Sequence, residues 1–327
     1  MTAPDAQAFA PLRLYTGTAL TASGRVIGEY STSFSLACRT LPGPVRRDIA
    51  GIYALVRVAD EVVDGTAGAA GLGPDRVRAA LDAYEAEVAS ALATGFSTDL
   101  VVHGFADVAR RHGFGTELTG PFFASMRADL DVAEHDGASL ESYIYGSAEV
   151  VGLMCLEVFM DMPGTRAQTS EQREMLRATA RRLGAAFQKV NFLRDLGADH
   201  DQLGRTYFPG ADPSHLDETR KQLLLADLGA DLDAAVPGIL ALDHRAGRAV
   251  LIAHGLFREL ARRIEEVPAA ELTRRRISVP AGVKLRIAAR ALSVTARTGS
   301  HGRGRAPESG PPVPATVPET SGTGATR

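Results

Sequence analysis

The 327-residue chain has only two cysteines, Cys38 and Cys155. Two thiols cannot build a disulfide framework. Each sits in an apolar stretch, so both are expected to be reduced and buried, as suits a cytoplasmic protein. There is no excess of charge of one sign. The formal net charge is −3 and the pI is near 6.3, which gives no overall reason to expect nucleic acid as a partner. No apolar run approaches the roughly 20 residues of a membrane span; the nearest, 150–160, is interrupted by Glu157. Residues 1–10 lack a basic stretch followed by an apolar one, so no secretory signal is expected. Solenoid-type repeats are absent, as is the sustained two-residue alternation of a half-buried strand.

What is present is ample core material, with 45% hydrophobic residues. Length alone allows one large domain or two. The last 30 residues differ: 298–327 are mostly Gly, Pro, Ser, Thr and Ala, with only Val313 and Val317 as sizeable apolar side chains. Such a segment buries too little surface to offset its ordering entropy and is expected to be a disordered tail. The expected organisation is a flexible start over 1–11, a folded domain over 12–297 and the tail.

Within 12–297 the periodicity is helical. Ile49, Ile52, Tyr53, Val56 and Val63 recur at three- and four-residue spacing, and similar patterns run through 77–93, 100–112, 140–159, 173–196 and 249–265. Breaks fall at Pro42-Gly43-Pro44, 65–73, 113–115 and Pro163-Gly164. The expected fold is an all-α domain of about ten helices.

Two stretches set acids where an apolar stripe should continue. In Arg57-Val58-Ala59-Asp60-Glu61-Val62-Val63-Asp64, the carboxylates of Asp60 and Asp64 lie one turn apart on one helix face, about 6 Å along the axis. Tyr53 and Arg57 share that face, and Ile49 and Ile52 make it apolar earlier on. In the second stretch Gln188, Asn191 (or Phe192), Asp195 and Asp199 step along one face that begins with Ala185 and Phe187. Buried carboxylates are costly unless paired or metal-bound, and close pairs repel by about a few kcal/mol at an effective dielectric near 20. An all-oxygen donor set without His or Cys selects Mg²⁺ rather than Zn²⁺, with Mn²⁺ as a substitute. Mg²⁺ takes one or two carboxylates plus substrate phosphate oxygens, so two facing pairs imply metal-assisted departure of diphosphate. A single pair at this spacing is usually a solvated face; two on apolar stripes, each with an arginine (Arg57, Arg194), outweigh that reading.

These residues carry a resemblance. Tyr30 to Phe34, Ile52 to Asp64, Tyr143 to Gly152, Gln188 to Asp199, Gly204 to Pro209 and Arg276 to Pro280, in this order and spacing, resemble the squalene/phytoene synthase family over about 30–292. The resemblance implies a single-domain isoprenoid-synthase helical bundle around a central cavity. It implies a head-to-head prenyltransferase acting on two prenyl diphosphates. By position it assigns Mg²⁺ to Asp60 and Asp64 with one diphosphate, and to Asn191, Asp195 and Asp199 with the one that ionises. Ser31, Ser33, Arg57, Arg194 and Arg276 would contact phosphate oxygens. Tyr53 and Gln188 would line the reacting centre, and Tyr145 would stand beside the carbocation. Aromatic faces, Phe34 and Phe187 included, would stabilise positive charge or simply pack in the core.

The chain departs from the family at Tyr30, where His is frequent, and at Phe257, where Tyr is frequent. It also departs at Glu149, where Gly is frequent; Glu149 is expected either to touch the site indirectly or to face a neighbouring helix. The actinobacterial look of Arg57 to Glu61 resembles phytoene synthases, which implies geranylgeranyl diphosphate, no NADPH, and carotenoid precursor synthesis. Squalene, hydroxysqualene or dehydrosqualene formation from farnesyl diphosphate is the alternative; a terpene cyclase and a non-catalytic scaffold are further rivals, the last opposed by two intact acidic pairs. Greasy substrates imply peripheral contact with the inner membrane face, for a monomer or weak dimer.

Overall fold

The computed structural model describes residues 10–132, 135–166, 169–203, 216–272, 274 and 276–301. Among them every regular element is a helix, as the periodicity predicts. The first half of the chain forms α1 (Ala10–Tyr30), α2 (Thr32–Cys38), α3 (Gly43–Val63), α4 (Thr66–Ala69), α5 (Pro74–Thr94), α6 (Leu100–His112) and α7 (Thr116–Asp131). Then come α8 (Gly137–Ile144), a π-helical turn (Tyr145–Glu149), α9 (Val150–Met160) and α10 (Pro163–Arg166). The second half forms α11 (Ser170–Leu203), α12 (Glu218–Ala241), α13 (His244–Glu265), α14 (Ala269–Leu272) and α15 (Ala281–His301). These outnumber the expected ten, partly because the short helices α2, α4, α10 and α14 add to the long ones, α4 and α10 in stretches whose glycines and prolines mark breaks. Helix begins at Ala10 and ends at His301, against expected limits of 12 and 297; the rest of the tail lies outside the described residues.

Local chemistry sets the ends of the helices that matter. Pro44 sits in the first turn of α3, where a missing N–H costs nothing. Gly65, with φ of 107°, follows Asp64 and lets the chain leave α3 in a conformation that other residues resist. Asp99 caps α6, accepting from the backbone N–H groups of Val101 and Val102, and Gly113 closes it at φ 73°.

Two hydrophobic clusters form the interior. One joins α3, α6, α7 and α9 through Ile52, Leu55, Phe105, Phe122 and Met154. The other joins α8, α11, α12 and α13 through Tyr143, Leu193, Leu228 and Ile264. Phe34 of α2 packs against both. The helix from Gly137 to Met160 lies centrally. It is 24 residues long, and by length and composition alone it could cross a bilayer. It exceeds the 150–160 run because α8 and the π-helical turn continue straight into α9. Here it is a core helix, with Tyr143, Ile144, Val150, Met154 and Val158 buried by its neighbours. Glycines permit this packing: a Cβ on Gly146 would lie 2.2 Å from the Pro121 carbonyl oxygen, and one on Gly184 would lie 2.7 Å from that of Ala148. Cys38 and Cys155 are both free, Cys38 buried and Cys155 half-buried, and burial pushes the Cys38 thiol up to about 12.

Candidate active site

The first acidic pair ends α3. Asp60 is half-buried in its last turn, and Asp64 is the exposed C-cap. The stripe is therefore inward at Asp60 and open at Asp64. Carboxylates at this helix end meet the negative pole of the dipole. Burial first, and then the charges of Asp64 and Asp129, push the Asp60 carboxyl well above its ordinary range, against the pull of Arg57. Arg57 lies 4.0 Å from Asp60 and pairs with Glu61. Its guanidinium sits 4.7 Å over the Tyr30 ring. The Arg57 Nε is buried with no hydrogen-bond partner among the described residues.

The second group rides on α11. Gln188, Asn191, Arg194 and Asp195 are half-buried, whereas Phe192 is core. Asn191, not Phe192, is therefore the open member of that step. The side chain of Asp199, like the 204–209 motif, lies outside the described residues. Asp195 is not left to repel other acids. It accepts from Arg194 Nε at 3.0 Å and from Arg276 Nε at 2.8 Å. Among the described carboxylates, the expected repulsion is thus felt on the α3 side, at Asp60.

Contacts between the two helices run through Asp129, which no motif contains, and Tyr143, to which its motif assigns no role. Asp129, half-buried on α7, is close enough for its charge to act on Asp60. The Tyr143 hydroxyl donates to Asp129 at 2.8 Å and 3.0 Å to its two oxygens. The Tyr143 ring centroid is 6.0 Å from that of Phe192, one residue from Asn191 and three from Asp195 on α11. Sequence reading missed both, although the signal existed: Phe122, Met126 and Asp129 continue an apolar stripe into an acid, as Ile52 and Asp60 do.

A second junction lies two turns along each acidic helix. The Phe34 ring centroid is 6.1 Å from Tyr53 on α3, 6.4 Å from Phe187 on α11 and 6.1 Å from Phe257 on α13. Phe187 and Phe257 stack at 3.8 Å. Ser31 caps α2, accepting from the Phe34 N–H at 3.1 Å. Ser33 is half-buried on α2. Tyr145 stands apart from Tyr143, with the Arg181 guanidinium 5.2 Å over its ring. Glu149 pairs with Arg181 at 2.6 Å, so it faces the neighbouring helix α11. A groove of about 830 Å³ between α12, α13 and α15, lined by Leu225, Leu232, Leu251 and Ile287, contains none of the expected site residues.

The donor set fits Mg²⁺. It is all oxygen, and a dication would relieve the opposition that Asp64 and Asp129 raise to the charge of Asp60. Among the described residues no three His, Cys, Asp or Glu side chains form a preformed cage; Mg²⁺ needs none, since it keeps waters and takes phosphate oxygens.

Comparison with known proteins gives the family. The squalene/phytoene synthase pattern matches residues 27–282. The phytoene synthase of Mycobacterium tuberculosis is 28% identical over 293 residues, covering 83% of this chain and 89% of its own. The 4,4'-diapophytoene synthase of Staphylococcus haemolyticus is 29% identical over 189 residues, covering 57% and 61%. In structure the chain is similar to a dehydrosqualene synthase solved with a ligand, at TM-score 0.70, 21% identity and coverage of 88% and 99%. It is also similar to the squalene synthase HpnC of Alicyclobacillus acidocaldarius, at TM-score 0.64, 20% identity and coverage of 78% and 97%. The chain belongs to the squalene/phytoene synthase family and is a prenyltransferase of its head-to-head kind.

Proposed function

We propose that this prenyltransferase is a phytoene synthase, joining two geranylgeranyl diphosphates through prephytoene diphosphate to phytoene with release of diphosphate. The observation that supports the reading is that Asp129, whose charge acts on Asp60 of α3, accepts from the Tyr143 hydroxyl, and the Tyr143 ring in turn packs 6.0 Å from Phe192 of α11. The choice of the longer substrate is supported by the phytoene synthases among the relatives.

Asp60 and Asp64 on one side, and Asn191, Asp195 and Asp199 on the other, would hold Mg²⁺, or Mn²⁺ in its place. When bound, the ion supplies positive charge to the departing diphosphate. The chain's own groups do the rest. Arg57, Arg194, Arg276, Ser31 and Ser33 receive diphosphate oxygens, and the unpartnered Arg57 Nε gains an acceptor. Phe34, Tyr53 and Phe187 exclude water, so that the allylic cation survives until the second double bond attacks. Their faces are worth about 1–2 kcal/mol each when desolvated. Gln188 lines the same stretch of α11. Tyr143 takes the place beside the reacting carbons that the resemblance gives to Tyr145, because Tyr143 reaches Asp129 whereas Tyr145 lies under Arg181.

The test is incubation with geranylgeranyl or farnesyl diphosphate and Mg²⁺, with and without NADPH, followed by hydrocarbon extraction. A colourless C40 triene made without NADPH is the expected product. Preferential C30 formation from farnesyl diphosphate would replace this reading with dehydrosqualene or squalene synthesis, to which the structural likeness to a dehydrosqualene synthase lends weight. A cyclic C15 or C20 product would overturn both. Leu285 and Leu292 are exposed on α15 beside Lys284, Arg286 and Arg290, a surface suited to peripheral contact at an anionic membrane face. Co-sedimentation with anionic vesicles at low salt tests it, and recovery entirely in the supernatant would refute it.

A further inference from the structure

Asp129 belongs to neither acidic motif, yet it stands where they meet. It lies on α7, and Tyr143 on α8 brings its hydroxyl to both carboxylate oxygens, at 2.8 Å and 3.0 Å. Tyr143 is itself held at its ring and its backbone. It is 5% exposed, its ring lies 6.0 Å from Phe192 and 4.9 Å from His135, and its backbone carbonyl accepts from the Ser125 hydroxyl at 3.0 Å. Ring and backbone are fixed by packing, so the hydroxyl hydrogen is the one freedom left, and Asp129 takes it.

A phenol has one proton to donate and two lone pairs. With its proton given to Asp129, the Tyr143 oxygen can present only lone pairs to its other side. A fixed lone-pair dipole favours positive charge and needs no reorganisation when that charge develops. A free hydroxyl could instead turn its proton toward the cation or donate it to the diphosphate.

We propose that Asp129 is a positioning residue of this active site, which orients the Tyr143 hydroxyl so that its oxygen lone pairs face the cationic carbons. The proposal rests on the prenyl-coupling reading above and adds a residue to it. Asp129 is assigned no contact with substrate and no proton to carry.

The test uses the full-length protein carrying Asp129→Leu, Asp129→Asn, Tyr143→Phe and the double change Asp129→Leu/Tyr143→Phe. Coupling is followed with two prenyl diphosphates, and thermal stabilisation by Mg²⁺ with inorganic diphosphate is measured alongside. Asp129→Leu is expected to lower kcat about tenfold or more, with KM within about twofold, since the loss falls on the charged state rather than on binding. Asp129→Asn keeps an oxygen acceptor and should recover to within about threefold of wild type. The double variant should be no slower than Tyr143→Phe alone, because the positioning role of Asp129 is spent through that hydroxyl, and removing its charge from near Asp60 only eases the ionisation of that carboxyl. All four should keep the stabilisation by Mg²⁺ and diphosphate. A double variant whose losses multiply overturns the proposal, as does an Asp129→Leu enzyme with unchanged kcat. Loss of the Mg²⁺ response in Asp129→Asn would make Asp129 a metal ligand and likewise overturn it. A wild-type protein that couples no prenyl diphosphates sinks the functional reading and this proposal together; coupling by wild type with an indifferent Asp129→Leu sinks the proposal alone.

Discussion

Arg276, exposed on the segment before α15, places its Nε 2.8 Å from the Asp195 carboxylate of α11. Arg194 holds the same carboxylate from the adjacent position. Both guanidinium groups thus wait at the carboxylate that the coupling reading gives to Mg²⁺. Were Asp195 to hold Mg²⁺ as that reading has it, both arginines would be free to donate to phosphate oxygens.

The exposure of Arg276 separates its two contributions. Its side chain is 68% open, and pairs of this kind add about 0–1 kcal/mol to stability. Arg276→Ala is therefore expected to leave Tm within about 2 °C of wild type while raising KM for the prenyl diphosphate about tenfold. A variant that melts much earlier with unchanged KM would assign Arg276 to the fold instead.

Asp60 should show the opposite sign. Its carboxyl is held above the ordinary range by burial and by Asp64 and Asp129. A raised carboxylate pKa means that the ionised form, present at neutral pH, works against folding in the metal-free protein. Asp60→Asn is expected to raise Tm without Mg²⁺ by about 3 °C, the equivalent of ~1 kcal/mol in a domain of this size. Coupling activity should fall at least about a hundredfold. Thermal melts in EDTA at pH 7.5 check the first part and product assays the second; a lower Tm in EDTA would show that the acids do not oppose one another.

Much of this was legible in the residues. The all-helical fold follows from three- and four-residue periodicity, and the pairs on α3 and α11 stand out because oxygen interrupts an apolar stripe. Asp129 breaks its own stripe after Phe122 and Met126, but with no second acid one turn on it drew no attention. Tyr143 and Tyr145 are indistinguishable by type. Only packing shows that one is buried with its hydroxyl on Asp129 while the other lies under Arg181. Arg276 reaches Asp195 across 81 positions, a distance over which periodicity is silent. The π-helical turn also escapes sequence, since nothing in Tyr145–Glu149 sets it apart from an α-helical run.

That turn offers a sharp packing test. A Cβ on Gly146 would come within 2.2 Å of both the Pro121 carbonyl oxygen and the Ser125 hydroxyl. The first is backbone and cannot swing aside. Gly146→Ala should destabilise by about 2–3 kcal/mol and lower Tm by roughly 5–10 °C. Gly17→Ala is the control. It sits in α1 with nothing within 4 Å of its Cβ position, so helix propensity alone acts, and Tm should hold or rise. Equal melting of Gly146→Ala and wild type would mean that α7 and the central helix separate easily.

The N-terminal part of α3 is anchored by a pH-sensitive network, and its sign can be worked through. His112, the last residue of α6, places Nδ1 2.6 Å from Asp161 and Nε2 3.2 Å from Asp48. Arg111 holds the other side of Asp48 at 2.7 Å. Burial opposes the charge on His112, but hydrogen bonds to Asp48 and Asp161 overcome it and raise its pKa. Burial likewise opposes the Asp48 charge, and hydrogen bonds from His112 and Arg111 lower its pKa. A raised histidine gives stability that is complete below its unfolded value of about 6.5 and is lost as pH climbs through the higher folded value. A lowered aspartate gives stability that is present above its unfolded value of about 3.9 and is lost as pH falls through the lower folded one. Between those limits both contribute, so Tm should decline from pH 6.5 to pH 9 as His112 discharges. His112→Gln removes the titrating group and should lower Tm at pH 6 by about 3–6 °C, with a much smaller difference from wild type at pH 9. Parallel Tm profiles for the two proteins across that range would show that His112 is already neutral at pH 6 and that Arg111 alone holds Asp48.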